Sequence, residues 1–170
     1  MKLPALILLA LVALLPASAS AMQPAEITVA SVVALMNDYR AEAGLPPLSV
    51  EARLTLAAED RMRDMEELAY WSHEAPDGRS PFLWLHSRGY LYTFAAENLA
   101  AGFETAPVLV SAWMESPGHR ANIMSGDYEH CGIAIIDGST KGPATGKSIV
   151  VLFGSNRRAI PTQKTAKNDD

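Results

Sequence analysis

The chain has 170 residues, a net charge of −5, a pI near 5.3 and a single cysteine. The acidic balance leaves no electrostatic case for nucleic acid or anionic lipid as a partner, and one cysteine excludes an internal disulfide. Past the N-terminal leader, the chain suits one domain, large enough for a genuine core.

The leader comes first. Lys2 precedes an apolar run over residues 3–15, and Ala19-Ser20-Ala21 fits the small-residue pattern of a signal-peptide cleavage site. The run falls short of the ~20 apolar residues of a spanning helix. Cleavage after Ala21, a secreted or periplasmic location and no transmembrane anchor are therefore expected. No cysteine follows the leader, so no lipoprotein anchor is expected either. The domain should occupy residues 22–156 and act as a monomer, followed by a polar, frayed tail over residues 157–170.

Residues 29–43 read as a first helix, with Val32, Val33, Met36 and Tyr39 on one face. Gly44 and Pro46-Pro47 stop it. Ser49 is expected to cap a second helix with Glu51 in its first turn. Leu54, Ala57, Ala58, Met62 and Met65 form its buried stripe, and Glu59, Asp60, Arg63 and Asp64 its solvated face. Pro76-Asp77-Gly78 is a turn. Ser80-Pro81 opens a third helix that ends at Gly89, with His86 an ordinary surface or half-buried residue. Residues 94–102 form an extended segment carrying Glu97. A fourth helix covers residues 107–114 with Thr105 as a possible cap. It stops at Ser116-Pro117-Gly118, and a short helical turn follows over residues 119–124. Residues 131–136 and 148–153 are β-rich runs. They read as an antiparallel pair joined by a long, mobile connection holding Gly138, Gly142, Pro143 and Gly146.

Three segments carry chemistry: Ser72-His73, Glu97-Asn98-Leu99-Ala100 and Trp113 to Arg120 with its Ser116-Pro117-Gly118-His119 turn. Imidazoles and carboxylates hold metal ions or move protons when a fold brings them together. Glu97 lies among small and apolar residues, where a carboxylate is costly to bury unless paired or bound. An outward-facing Glu97 is the plainer alternative. Cys131 as a nucleophile with His119 or His130 as base is weaker, because a cysteine opening an apolar strand is usually buried and inert. Ser116 lacks the strand–turn–helix setting of a nucleophile elbow, and no H-E-x-x-H zinc motif is present.

Taken in order, Met36-Asn37-x-x-Arg40, Leu45-Pro46-Pro47-Leu48, His73 with Asp77-Gly78, the Glu97 segment, Ala112-Trp113-Met114-x-Ser116-Pro117-Gly118-His119-Arg120-x-Asn122-Ile123 and Val151-Leu152-Phe153-Gly154 resemble the CAP superfamily. That superfamily groups cysteine-rich secretory proteins, antigen 5 and plant pathogenesis-related proteins (the SCP domain). The chain is similar to its short, cysteine-poor bacterial branch, over residues 30–155. The resemblance implies an α+β fold: a three-layer α-β-α sandwich with a small antiparallel sheet. It also implies a cleft lined by two histidines and two acids. His73, His119 and Glu97 match three of these. The second acid of eukaryotic members falls at Ser116 here, with Glu115 one residue early, so both positions are open. His73, His119 and Glu97 are accordingly expected to bind Zn²⁺ or another divalent metal, with no organic cofactor. The functional expectation is an exported binding or interaction module for a small-molecule, lipid-like or envelope partner. The alternatives are a metal-assisted, peptidase-like hydrolase using the same cleft and a purely structural envelope protein.

Overall fold

The computed structural model describes residues 25–138 and 145–156. The leader and its cleavage site, residues 139–144 of the connection between the last two strands, and the tail lie outside the described residues. The elements run α1 (Val29–Glu42), β1 (Ser49–Val50), α2 (Ala52–Glu67), α3 (Leu83–Ser87), β2 (Phe94–Phe103), α4 (Ala106–Glu115), α5 (Pro117–Ile123), β3 (His130–Asp137) and β4 (Lys147–Ser155).

The four strands lie in the order β1-β3-β4-β2. β4 pairs antiparallel with β2 and with β3, as the two apolar runs require, while β1 pairs parallel with the start of β3. The sheet is thus mixed, not purely antiparallel: two residues at one edge run parallel because β1 feeds directly into α2. β4 is central and buried along nearly its whole length, so it reads as an unbroken apolar run. Its side chains alternate between two cores. Ile149, Val151 and Phe153 join Met36, Leu109, Trp113 and Ile123 from α1, α4 and α5. Val150 and Leu152 join Leu54, Met65, Leu85 and Tyr90 from α2, α3 and the segment after α3. Helices on both faces complete the three-layer α-β-α sandwich.

Local chemistry explains the boundaries. Thr28 caps α1 in a reciprocal pair with Ser31, and Gly44 beyond its end takes φ +70°, where glycine is unstrained. Ser49 does not cap α2, because it is a strand residue. Glu51 takes that role, its carboxylate accepting the Leu54 N–H at 2.9 Å. The third helix is a single turn that begins at Leu83, not at Ser80-Pro81. α2 sits directly on the sheet at Gly132, where a Cβ would fall 2.0 Å from the Leu54 carbonyl carbon. Arg40 is fully buried at the end of α1. It donates to the carbonyls of Pro46 at 2.8 Å, Ile123 at 2.8 Å, Ser125 at 2.7 Å and Tyr128 at 3.3 Å. Those bonds tie the loop after α5 to α1 and hold Tyr128 at the wall of a cleft that also contains Glu97.

Candidate binding cleft

Glu97 lies in the middle of β2, and its side chain is only 2% exposed. Such a carboxylate needs compensating charge. Arg61 supplies it from α2: its Nε donates to Glu97 Oε2 at 3.0 Å, and the side chain is fully buried. The rest of the guanidinium donates to the Tyr70 hydroxyl and the Ser72 carbonyl. Its plane lies over Trp84 at 4.9 Å and Tyr70 at 5.2 Å, a cation–π setting that suits a desolvated arginine. Tyr70 in turn donates to Asp64, which receives Arg79 Nη2 at 3.0 Å. Burial and the Asp64 carboxylate push the Tyr70 hydroxyl up to about 12.

The second oxygen of Glu97 meets His73. Glu97 Oε1 and His73 Nδ1 are 2.8 Å apart. The His73 side chain is 61% exposed, so one ring nitrogen is held by the buried carboxylate and Nε2 is left for a ligand. The hydrogen bond to Glu97 raises the His73 pKa, with partial burial acting against it and the carboxylate charge adding to it. His119 sits on α5, tilted against Trp113 with ring centroids 6.3 Å apart. Its pKa is lowered, first by burial and then by the charge of His73. α5 is stapled to β2 by amides: Asn98 Nδ2 donates to the His119 carbonyl at 3.2 Å, and Asn122 Nδ2 donates to Asn98 Oδ1 at 2.8 Å and to the Glu97 carbonyl at 3.3 Å.

These elements frame an open cleft of about 540 Å³. His73, Glu74, Glu97 and Asn122 give it polar groups; Pro81, Phe82, Ala95, Ala96 and Tyr128 give it an apolar wall.

The structure therefore joins His73 to Glu97 and keeps His119 within electrostatic reach of them. It does not join the remaining candidates. Glu115 is exposed and lines a separate depression with Pro107, Val108 and Ser111 on the outer side of α4. Ser116 is the junction of α4 and α5, its carbonyl accepting the Arg120 N–H at 2.8 Å. Cys131 is buried and its thiol is pushed up to about 12 by burial, which makes it inert. His130 bonds instead to the Tyr90 hydroxyl at 2.9 Å.

The expected metal set does not fit this arrangement. Among the described residues, no three His, Cys, Asp or Glu side chains are grouped to hold an ion. Glu97 spends one oxygen on the Arg61 guanidinium and the other on His73, and a dication at that carboxylate would face a buried cation. Arg61 is the functional residue that sorting side chains by type misses. Its signal is positional, because residue 61 lies on the stripe of Leu54, Ala57, Ala58 and Met65, where a charge has no place without a buried partner.

Fold and cleft together define a small α+β sandwich domain with a histidine–carboxylate pocket. The sequence profile of the Cysteine-rich secretory protein family (CAP) matches residues 33–152, and the chain belongs to that family. Among curated proteins it is 38% identical over 106 residues to YkwD of Bacillus subtilis (strain 168), an uncharacterized protein, covering 62% of this chain and 41% of that one. It is 29% identical over 104 residues to YlbC, an uncharacterized membrane protein of the same organism, covering 61% and 30%. The chain thus spans less than half the length of these relatives. Among solved structures, an extracellular SCP-domain protein of Bacillus anthracis superposes with TM-score 0.64 at 23% identity, over 74% of this chain and 39% of that one. An outer surface protein of Borrelia burgdorferi superposes with TM-score 0.65 at 22% identity, over 79% and 100%. At that identity the likeness is one of fold. These structural neighbours are extracellular or surface proteins, and no helix among the described residues is long and apolar enough to cross a membrane.

Proposed function

We propose that this chain is an exported CAP-domain binding module whose cleft takes a small amphiphilic ligand, with His73 as its polar contact and no resident metal. One observation carries the reading. A solvent-open imidazole is anchored by a buried ion pair at the mouth of a cleft whose other wall is aromatic and aliphatic. Pockets that bind small molecules combine a largely apolar lining with a few fixed polar groups. The Arg61–Glu97 pair is internally neutral, and Glu74 is the remaining carboxylate of the lining. That balance favours a ligand with an uncharged, hydrogen-bonding head over an anionic one.

The test is a ¹⁵N NMR titration with three probes of one chain length: octyl glucoside, octyl sulfate and octyltrimethylammonium. The glucoside should shift the signals of His73, Ala95, Asn122 and Tyr128 in the monomeric detergent range, and His73→Ala should weaken that binding with the fold intact. Shifts that avoid these residues with all three probes would reject the reading.

A hydrolytic second reading rests on the same pair. An imidazole oriented by a carboxylate is the setting of a general base, and His73 Nε2 faces a cleft that admits water. It requires turnover of an ester or amide substrate that disappears in both His73→Ala and Glu97→Gln.

A further inference from the structure

The sheet has one edge that is only partly covered, on the side opposite β2. β1 pairs with His130 and Cys131 alone, and the chain leaves the sheet at Glu51, whose N–H donates to the Cys131 carbonyl at 2.9 Å. Cys131 therefore turns its carbonyl toward this edge. β3 continues in unbroken register with β4 to Asp137. Strand alternation then turns the N–H and C=O groups of Ile133 and Ile135 to the same side. Among the described residues, no strand pairs with them there.

A groove of about 550 Å³ runs along this stretch. Residues 133–136 of β3 form its floor. Thr55, Glu59, Met62 and Arg63 of α2 line one wall, and Val29 at the start of α1 stands on the other. The edge is thus recessed between the two helical layers. It also lacks the usual protection: Gly132-Ile133-Ala134-Ile135-Ile136 contains no charge and no proline, the devices that keep exposed edges from pairing.

We propose that this groove takes an extended peptide segment of a partner protein, which adds to the sheet as a strand beside residues 133–136. The occupant follows from the chemistry of the groove. A row of alternating N–H and C=O groups at strand spacing is matched by another main chain. Four residues span about 13 Å. A recess between helices admits a single strand, whereas the edge of a second folded domain would first have to displace α1 or α2. Met62 and Val29 call for apolar side chains at alternate peptide positions. Exposed Glu59 on the rim calls for a basic residue at one flank of the peptide; Asp137 at the end of β3 already pairs with Lys147 Nζ at 2.7 Å. The site is separate from the His73 cleft and does not depend on the function assigned to it.

The probe is acetyl-Lys-Val-Thr-Val-Thr-Val-Lys-amide, titrated into the ¹⁵N-labelled protein. The amides of residues 133–136 should shift, and that of Ile135, which is only half-buried, should pass from fast to slow hydrogen exchange, whereas Ile133, 2% exposed, is covered from the start. Two further peptides carry N-methyl groups on alternate residues, in opposite phase. One phase should bind at least about tenfold more weakly and the other should bind as the parent, because only one set of peptide amides faces β3. Ile135→Pro removes an edge N–H without breaking a ladder bond, a change that edge strands accept, and should weaken binding to the same degree. The methylated peptides keep the test valid if that variant folds poorly. Equal binding by both methylated peptides, or no shift at residues 133–136, would overturn the proposal. So would an Ile135 amide already protected in the free protein, whether that protection is lost on dilution, marking a second copy, or on truncation after Asn156, marking the chain's own tail.

Discussion

Replacing Arg61 with methionine isolates the interaction on which the cleft is built. Methionine keeps much of the aliphatic contact with Trp84 and removes the charge. Glu97 would then lie 2% exposed with His73 as its remaining charge-capable partner, and the Ser72 carbonyl would lose its donor. Breaking one side of a buried ion pair typically costs about 3–5 kcal/mol, because the other charge stays behind without compensation. That is a large share of the ~5–15 kcal/mol that holds a domain together. For a chain of this size it corresponds to a fall of roughly 6–20 °C in Tm. The sign of the pH dependence is also fixed. The stranded carboxylate can escape its penalty by taking up a proton in the folded state, so the deficit should shrink as the pH falls toward about 4. Removing the second charge as well, in Arg61→Met/Glu97→Gln, should recover part of the loss, since paired deletions leave no orphan charge. Urea melts of wild type, both single variants and the double variant at neutral and acid pH measure all of this. A single Arg61→Met variant within about 1 kcal/mol of wild type, or strictly additive single and double variants, would refute the argument.

Other consequences arise from the same geometry. His73 in the cleft and His119 on α5 should titrate on opposite sides of the ordinary value of 6.5, His73 above it and His119 below it; imidazole NMR against pH checks this, and the reverse order would contradict the contacts. Because the folded pKa of His73 is raised, its bond to Glu97 stabilises the fold fully below the unfolded pKa. That contribution is lost as pH rises through the folded value, so the stability gap between wild type and His73→Ala should narrow from acid to alkaline pH. Trp113 is 2% exposed and its indole N–H donates to the Leu99 carbonyl at 3.3 Å; Trp113→Ala should cost about 3–5 kcal/mol in denaturant melts, and wild-type stability would show that the α4 packing is misplaced. Gly132→Ala puts a methyl group 2.0 Å from Leu54 and 2.2 Å from Thr55 main-chain atoms; it should lose at least about 3 kcal/mol or fail to fold, and a neutral result would mean that α2 does not rest on β3.

Much of the architecture was legible because it is periodic. The stripe of α2, the unbroken apolar run of β4 and the turn at Ser116-Pro117-Gly118 each announce an element locally. The mixed sheet was not legible. β1 is two residues long, and its partners His130 and Cys131 lie some eighty positions away, so nothing in the local sequence separates it from a helix cap. At the site, His73 and Glu97 were readable as chemistry held at punctuation, but their meaning depends on Arg61, which comes from a different element. Arg61 and Arg40 both lie on apolar helical faces, and both are buried. A reading that assigns charges to the solvated side passes over them; one that asks why a charge interrupts an apolar stripe finds both. The same habit sends Asp60 and Asp64 to solvent, yet each is half-buried, with Arg88 Nε at 2.5 Å from Asp60 and Arg79 Nη2 at 3.0 Å from Asp64. Glu115 and Ser116 could not be separated from the site by sequence, since one residue of shift on a helix moves a side chain by about 100°.

The central claim is that the cleft binds through His73, held by Glu97 and Arg61, and without a metal. Octyl glucoside titrated by NMR into wild-type protein, once in excess EDTA and once in saturating Zn²⁺, tests it most directly. The account predicts the same shifts at His73, Asn122 and Tyr128 and the same affinity in both buffers. Binding that appears only with Zn²⁺, accompanied by loss of the Arg61–Glu97 contact, would contradict it.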